Sequence, residues 1–231
     1  MNIMNLGNII ITGGASGLGA ATVEAVLRQG GTPLVIDRNE PAADVAFQGA
    51  DLADTEAVDA AVCILADRVD RQIHGVFTAA GIDSCGKLDE VSVKDWEQVV
   101  HVNLLGTAAV IRSALPFLKA SGGRIVTCAS TLGIKAVSDA TAYCASKFGV
   151  VGFSRALAAE LAGEVGVTTL IPGGMATSFF DDRDDQYKPP PGTKLNDPGN
   201  VAETVVFALS QPAGCEVREL VVCAPTESSW P

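Results

Sequence analysis

Short, continuous apolar runs alternate with longer segments of helical periodicity along almost the whole chain. Continuous apolar runs, unlike strict polar–apolar alternation, are typical of strands buried on both faces of a parallel sheet. The predicted strands are residues 8–12, 33–37, 45–51, 74–80, 124–130, 165–172 and 219–223. The predicted helices are residues 17–29, 54–69, 92–119, 140–163 and 199–210. This alternation predicts an α/β fold with a doubly wound parallel sheet of about seven strands flanked by helices.

One polar segment, residues 178–200, interrupts the alternation. It contains five acidic residues, a run of three prolines and several turn-forming residues. One more helix and one more strand are predicted after it, so we interpret it as a loop or lid and not as a linker. The chain length of 231 residues fits one large α/β domain, and we expect residues 1–231 to form a single domain.

The charge balance excludes some classes of partner. The chain has 16 Lys and Arg residues against 27 Asp and Glu residues, which gives a formal net charge of −11. Proteins that bind nucleic acid or an anionic membrane surface need clustered basic residues, so we expect neither partner.

The chain carries no sign of a membrane span, a leader or a metal site. No stretch approaches about 18 uninterrupted apolar residues, and the N-terminus lacks a basic region and a cleavage site. The six cysteines form no CxxC pair and no metal-binding spacing. We expect reduced thiols, no metal and a cytoplasmic protein.

A glycine-rich turn joins the first predicted strand to the first predicted helix. Residues 12–19 read TGGASGLG, in which Gly13, Gly17 and Gly19 are separated by Ser16 and Leu18. Glycines let a backbone approach a pyrophosphate closely, and the helix N-terminus adds free N–H groups and a positive dipole end. In this strand–turn–helix context the motif predicts dinucleotide binding, whereas the alternative is a plain connection.

The second predicted strand ends with an acidic residue, Asp37, followed by the basic Arg38. An acid near this spacing hydrogen-bonds the adenosine ribose of NAD and repels the 2′-phosphate of NADP. Arg38 favours the opposite choice, because a guanidinium pairs well with a phosphate. Ser16 adds no second positive charge, so we predict NAD and keep NADP as the alternative.

Three polar residues, Ser130, Tyr143 and Lys147, follow the fifth predicted strand. Tyr143 and Lys147 are spaced to share one face of a helix. A Tyr–Lys pair alone is common on helix surfaces. Here the ammonium and an oxidised nicotinamide would together lower the tyrosine pKa by about 3 units, which needs about 4 kcal/mol. Ser130 would hold the substrate oxygen.

Together these motifs resemble the short-chain dehydrogenase/reductase family over about residues 7–224, which implies a Rossmann-type fold. The glycine turn is similar to the family's TGxxxGxG, and Ser130, Tyr143 and Lys147 match three of its four catalytic residues. The resemblance implies that Asn103 is the fourth and anchors a water in the proton relay. It also implies that Lys147 binds the ribose. Further implied dinucleotide contacts are Asp51, Leu52, Pro172, Gly173, Met175 and Thr177.

The chain departs from the family pattern in two places. The family's NNAG segment is Thr78–Ala79–Ala80–Gly81 here, which keeps the close backbone approach of Ala79, Ala80 and Gly81 but loses two amide side chains. The segment after Thr177 is also short for a substrate lid. On the family pattern, Ile134, Lys135, Asp83 and residues 178–197 would line the substrate pocket.

The resemblance implies an NAD(P)-dependent oxidoreductase, with NAD favoured, that transfers a hydride between the nicotinamide and a secondary alcohol or ketone. One alternative is an NADP-dependent ketoreductase of acyl or polyketide-type substrates. A second is a regulatory protein that senses a dinucleotide without turning it over; the intact Ser130, Tyr143 and Lys147 count against it.

The predicted helices 92–119 and 140–163 carry apolar residues on more than one side. In the second, Ala142, Phe148 and Leu157 are spread around the helix axis. Such a helix is normally covered on both sides, and family members commonly pair these two helices across a two-fold axis. We therefore expect a homodimer or homotetramer, in which residues 178–200 and the C-terminal tail meet a neighbour.

Overall fold

The computed structural model describes residues 6–230 and contains one parallel sheet of seven strands. Residues 1–5, from the N-terminal stretch where no leader is expected, and Pro231 lie outside the described residues. In chain order the strands are β1 Asn8–Thr12, β2 Thr32–Asp37, β3 Ala46–Gly49, β4 Gly75–Thr78, β5 Arg124–Cys128, β6 Gly166–Pro172 and β7 Glu219–Val222. All seven predicted strands are confirmed, although β3 and β4 are shorter than predicted.

The strand order in space is β3-β2-β1-β4-β5-β6-β7, and every neighbouring pair is parallel. The order therefore reverses direction between β1 and β4. Open sheets of this kind bind ligands in the crevice that forms at the carboxyl ends of the strands at such a reversal. The predicted doubly wound Rossmann-type sheet is confirmed.

Helices cover both faces of the sheet. They are α1 Gly17–Arg28, α2 Thr55–Asp67, α3 Val93–Val100, α4 Thr107–Ser121, α5 Thr141–Glu160 and α6 Pro198–Leu209. One buried cluster packs α1 and α6 against the side chains of Ile9, Ile11 and Phe77, and a second packs α2 and α4 against Ile10 and Val76. Consecutive strand residues thus enter opposite cores, which explains why the strands have continuous apolar sequences.

The predicted helix 92–119 is one continuous rod with an irregular turn in its middle. Residues His101–Gly106 form a π-helix between α3 and α4. The π-helix packs closely against the segment after β3, because a Cβ on Gly106 would lie 2.7 Å from the Leu52 carbonyl oxygen. The apolar pattern alone gave no signal for this turn, because the residues on either side keep helical spacing.

The rod Val93–Ser121 is long and apolar enough to span a membrane by length and composition alone. However, 44% of its apolar window is buried inside the fold, and α4 packs on α2 and on the sheet. Its α4 part therefore contributes to the core of this α/β domain.

Helix α5 leaves part of its apolar surface uncovered. Ala142, Val151 and Leu157 are buried, whereas Phe148 is 45% exposed and Gly152 has no atom near the position of an added Cβ. On the neighbouring rod, Leu105 is 46% exposed. The expected oligomer stays a prediction, with this surface as its basis.

Candidate functional site

A cavity of about 540 Å³ opens at the carboxyl ends of the central strands, where the strand order reverses. Its walls include all the residues that the sequence assigned to a dinucleotide and three of the four assigned to catalysis. Those residues are Gly13, Ser16, Gly17, Leu18, Gly19, Asp37, Arg38, Asp51, Leu52, Ala79, Ala80, Gly81, Ser130, Tyr143, Lys147, Pro172, Gly173, Met175 and Thr177. Asn103 is the exception and lies buried behind the wall.

The glycine turn needs glycine for reasons visible in its geometry. Gly13 has a positive φ of 70°, and a Cβ there would lie 2.8 Å from the backbone of Ala80. A Cβ on Gly19 would overlap the Gly13 carbonyl oxygen. Ser16 precedes α1 without capping it through its side chain, and the first turn of α1 has no acidic residue. The turn therefore leaves the positive end of the helix dipole facing the cavity, as an anion site requires.

Asp37 is fixed at the end of β2 beside the glycine turn. Its carboxylate accepts hydrogen bonds from Ala15 N at 3.0 Å and Asn39 N at 3.0 Å. Two backbone donors hold the carboxylate in one orientation at the cavity wall. Arg38 also lines the cavity. The residue that favours NAD and the residue that favours NADP are therefore both present there.

Asp51 and Leu52 lie next to this end, just beyond β3. Asp51 Oδ1 accepts a hydrogen bond from Ala53 N at 2.9 Å, which fixes its carboxylate in a tight turn. Leu52 is buried under Gly106 of the π-helix, and it presents an apolar surface to the cavity.

Ser130, Tyr143 and Lys147 meet at the other end of the cavity. Ser130 follows β5 and accepts a hydrogen bond from Leu132 N at 3.1 Å. Lys147 is 3% exposed; its Nζ donates to the Cys128 carbonyl at 2.8 Å and lies 5.6 Å from the Tyr143 ring centre. The two helix residues thus point to one place, as their spacing predicted.

Burial raises the pKa of Tyr143, and the nearby Asp83 carboxylate raises it further, while Ser130 and Arg183 lower it. Burial also lowers the pKa of Lys147. The expected fall in the tyrosine pKa is therefore not produced by the protein's own groups, because desolvation of the phenolate outweighs them.

Asn103 links two segments of the site through its side-chain hydrogen bonds. Its side-chain amide exchanges two hydrogen bonds with the backbone of Ile82, at 2.8 and 2.9 Å, and also donates to Ser146 Oγ at 3.0 Å. Ser146 in turn donates to the Tyr143 carbonyl at 2.8 Å. The π-helix thereby ties the segment after β4 to the helix that carries Tyr143.

The segment Thr78–Gly81 keeps its backbone close to the cavity despite the lost amides. Ala80 N donates to Thr12 Oγ1 at 3.2 Å, and a Cβ on Gly81 would lie 3.4 Å from Lys147 Nζ. Thr78 Oγ1, where the family has asparagine, is buried without a hydrogen-bond partner. The chain therefore lacks the hydrogen-bonding amide of asparagine at Thr78, while the backbone of Ala80 and Gly81 still lies close to the cavity.

The segment after β6 is held by backbone contacts. Gly173 N donates to the Val222 carbonyl at 3.0 Å. Asn196 bonds to this segment twice, through Ala176 N at 2.8 Å and the Gly174 carbonyl at 2.9 Å. The loop 178–200 therefore returns to brace the segment that contains Met175 and Thr177.

The first part of that loop folds over Tyr143. Phe179 packs on the Tyr143 ring with 5.7 Å between ring centres, and Arg183 stacks on Phe179 and Phe180. Arg183 also forms an ion pair of 2.6 Å with Asp83, whose side chain is 5% exposed. Phe179, Phe180 and Arg183 line the cavity, which supports the expectation that the loop contributes to it.

The other residues expected to line the substrate pocket do not reach the cavity wall. Asp83 is turned toward Arg183 and to Ser84 N. Ile134 packs beside a small buried cluster that includes Val150. The family pattern placed these residues by sequence position, but their side chains point into contacts within the protein.

The C-terminal tail was not assigned to the cavity from the sequence, yet Glu227 and Ser229 line it. Glu227 accepts a hydrogen bond from Gly174 N at 2.8 Å, and Ser229 Oγ lies 2.6 Å from Thr131 Oγ1. Both residues thus contact their own chain. No motif marks them, because the contacts join residues far apart in the chain.

Within residues 6–230, no group of three or more His, Cys, Asp or Glu side chains could hold a metal ion. The six cysteines are free thiols.

A sequence model of the family described as short chain dehydrogenase matches residues 7–188. The D-threitol dehydrogenase of Mycolicibacterium smegmatis is 35% identical over 184 residues, which cover 74% of this chain and 70% of that protein.

Two solved structures share the fold. The aldohexose dehydrogenase of Thermoplasma acidophilum superposes with a TM-score of 0.86 at 22% identity, covering 97% of this chain and 98% of that chain. An alcohol dehydrogenase from Thermococcus sibiricus, complexed with 5-hydroxy-NADP, gives a TM-score of 0.82 at 24% identity, covering 93% and 95%.

Proposed function

This chain belongs to the short-chain dehydrogenase family, and on that premise we propose that it is an NAD-dependent oxidoreductase acting on a small secondary alcohol or ketone. The observation that carries the proposal is the convergence of Ser130, Tyr143 and Lys147 on the cavity that the glycine turn also lines. A protein that only sensed a dinucleotide would not need Ser130, Tyr143 and Lys147 beside it.

The residues of the cavity fit a nicotinamide dinucleotide. Gly13 leaves no room for a side chain beside Ala80, and the exposed end of α1 suits a pyrophosphate. When bound, the nicotinamide supplies the carbon that accepts or donates the hydride. We assign the binding of the dinucleotide to the residues that the sequence predicts as its contacts, and we assign the ribose to Lys147.

In the reducing direction, Tyr143 is the acid that protonates the carbonyl oxygen. Burial favours its neutral form, so the hydroxyl carries a proton at neutral pH. Ser130 holds the same oxygen by a hydrogen bond, which localises it beside the tyrosine hydroxyl.

In the oxidising direction, Tyr143 must instead accept the proton of the alcohol. That step needs positive charge beside the phenolate to overcome desolvation. Lys147 supplies this positive charge, because its Nζ donates to the Cys128 carbonyl and faces the Tyr143 ring.

Asn103 is proposed as the fourth member of the catalytic group, and its visible action is to position the others. Its bonds to Ile82 and Ser146 set the distance between the segment after β4 and the helix of Tyr143. A relay through a water near Asn103 remains part of this proposal.

We favour NAD because the Asp37 carboxylate is held at the cavity wall by two backbone donors. The second candidate is an NADP-dependent ketoreductase of acyl or polyketide-type substrates. Arg38 at the same wall favours it, and the related alcohol dehydrogenase binds 5-hydroxy-NADP.

We further propose that the protein is cytoplasmic, as its free thiols suggest, and that it forms a homodimer or homotetramer. The exposed Phe148 and Leu105 mark the surface on α5 and the adjacent rod where a second copy would pack. Light scattering tests the assembly: a mass near 23.7 kDa would contradict it.

The test of the function is a turnover screen that follows nicotinamide absorbance. Neutral polyols, simple secondary alcohols and their ketones are offered with NAD or NADH, and again with the phosphorylated cofactors. We expect turnover with at least one alcohol–ketone pair and a preference for NAD. Dinucleotide binding without turnover of any substrate would instead support the sensing protein.

A further inference from the structure

The C-terminal tail lines the cavity and is fastened on two sides. On one side Glu227 accepts a hydrogen bond from Gly174 N at 2.8 Å. On the other, Ser229 Oγ lies 2.6 Å from Thr131 Oγ1, and Lys135 Nζ donates to the Ser228 carbonyl at 2.9 Å. The tail thus joins the segment after β6 to the segment after the catalytic Ser130.

The fit between the tail and the segment after β6 is close. A Cβ added to Gly173 would overlap the Glu227 carboxylate, and one on Gly174 would lie 3.7 Å from it. Only a glycine at position 173 therefore allows the carboxylate to occupy this place in the wall.

Glu227 brings a negative charge into this wall. Partial burial acts to raise its pKa, but hydrogen bonds from Ser229 and from the backbone N–H groups of Gly174, Ser229 and Ser228 outweigh it and lower the pKa. Among residues 6–230, Glu227 has no Lys, Arg or His within ion-pairing distance. It is therefore an ionised carboxylate without a cationic partner.

The rest of this end of the cavity is neutral or apolar, apart from Lys147 beneath Tyr143. Arg183 forms an ion pair with Asp83 at 2.6 Å, and Phe179 and Phe180 add apolar surface to the lining. The polar groups on the tail side are the Thr131 and Ser229 hydroxyls and the Glu227 carboxylate.

We propose, resting on the function proposed above, that Glu227 and Ser229 form a substrate-recognition wall that selects neutral, polyhydroxylated substrates. A carboxylate accepts charge-assisted hydrogen bonds from substrate hydroxyls. The same charge repels a substrate that carries a carboxylate at the end facing the tail.

The test compares the binding of two matched compounds to the full chain. A neutral tetritol and the four-carbon aldonate of the same configuration differ at one terminal carbon. Calorimetric titrations with saturating NADH measure both dissociation constants for the wild type and for Glu227→Gln, which keeps the shape of the side chain and removes its charge. The same titrations are repeated without NADH.

We expect the wild type to bind the tetritol more tightly. In Glu227→Gln the ratio of the two affinities should move toward the aldonate by about tenfold, which corresponds to about 1.4 kcal/mol. The matched control is Glu164→Gln, which removes one exposed charge at the opposite edge of the sheet and should leave the ratio unchanged.

A second variant separates charge from tail position. Ser229→Ala removes the contact with Thr131 and one hydrogen bond to the Glu227 carboxylate, but it keeps the carboxylate itself, so both affinities should weaken by similar factors. Melting temperatures check that each variant is folded.

An unchanged affinity ratio in Glu227→Gln, or no binding of either compound by the wild type, would overturn the proposal. Failure of the proposed function is distinguishable, because it appears as absent binding of NADH or as absent turnover in the substrate screen, and neither is the affinity ratio measured here. The polyol–aldonate comparison without NADH then still decides the role of the tail.

Discussion

The two ends of the cavity are built from different kinds of contact. At the glycine turn, backbone groups dominate: Gly13 N donates to the Ile36 carbonyl at 3.0 Å, and Ala15 N donates to Asp37. At the substrate end, side chains meet side chains, as in the 2.6 Å pairs of Arg183 with Asp83 and of Ser229 with Thr131. The dinucleotide end is therefore a property of the fold, whereas the substrate end depends on individual side chains that can change without altering the fold.

Tyr143 lies beside Lys147 and Phe179 at the substrate end, and its loss should have the largest effect. Tyr143→Phe keeps the ring that packs on Phe179 but removes the proton donor. We expect the turnover rate to fall by about 10²–10⁴-fold, with dinucleotide affinity retained. The matched control is Tyr187→Phe, at the only other tyrosine, which does not line the cavity. Turnover near the wild-type rate in Tyr143→Phe would mean that another group moves the proton.

A pair of glycine variants tests whether the dinucleotide end depends on backbone approach. Gly13→Ala introduces a Cβ 2.8 Å from the Ala80 backbone at a positive φ. Gly122→Ala has a similar φ of 63° but meets no atom within 4 Å. Both should lose about 1–2 kcal/mol of folding free energy from the positive φ, and Gly13→Ala should lose more because its Cβ also clashes with the Ala80 backbone.

Only Gly13→Ala should also weaken NAD binding, and we expect a factor of at least about tenfold, or about 1.4 kcal/mol. Chemical denaturation and NAD titration measure the two quantities. Equal NAD affinity in the two variants would show that close approach at Gly13 is dispensable.

Cofactor choice tests the same end at a single side chain. Asp37→Asn removes the charge that repels a 2′-phosphate. We expect the ratio of NAD to NADP affinity to fall by about tenfold, or about 1.4 kcal/mol. Asp44→Asn, an exposed change nearby, serves as the control. If the wild type already binds NADP as tightly as NAD, Arg38 is the residue that sets the preference.

The smallest expected effect lies at the substrate end. The Asp83 carboxylate raises the pKa of Tyr143, so Asp83→Asn should lower that pKa and leave Arg183 un-neutralised, which acts in the same direction. The pH profile of alcohol oxidation should therefore move to lower pH, with oxidation a few-fold faster on its acidic side. Asp89→Asn, an exposed change in the same region, should not move it. A shift to higher pH would contradict the assigned electrostatics.

The strands and the turn at the glycine-turn end of the cavity could be predicted because their sequence signals are local. The apolar runs gave all seven strands, and the spacing of Gly13, Gly17 and Gly19 between a strand and a helix identified the turn. Asp37 was assigned from its place at a strand end, which the parallel sheet then brings beside the turn.

The substrate end could not be predicted in the same way. Arg183 and Asp83 are 100 residues apart in the chain, and Ser229 and Thr131 are 98 apart, so no local pattern joins them. The π-helix that carries Asn103 was missed because its flanks keep helical spacing. The pKa of Tyr143 in the protein alone depends on burial, which the sequence does not reveal. The fall expected with a bound nicotinamide stays a prediction.

The most direct test of the account is hydrogen–deuterium exchange of the wild-type protein with and without NAD. We expect slower exchange at residues 13–19 and 172–177, which line the cavity and approach each other at Gly17 and Thr177, and unchanged exchange in α2. Unchanged exchange at residues 13–19 at saturating NAD would contradict the claim that this cavity is a dinucleotide site.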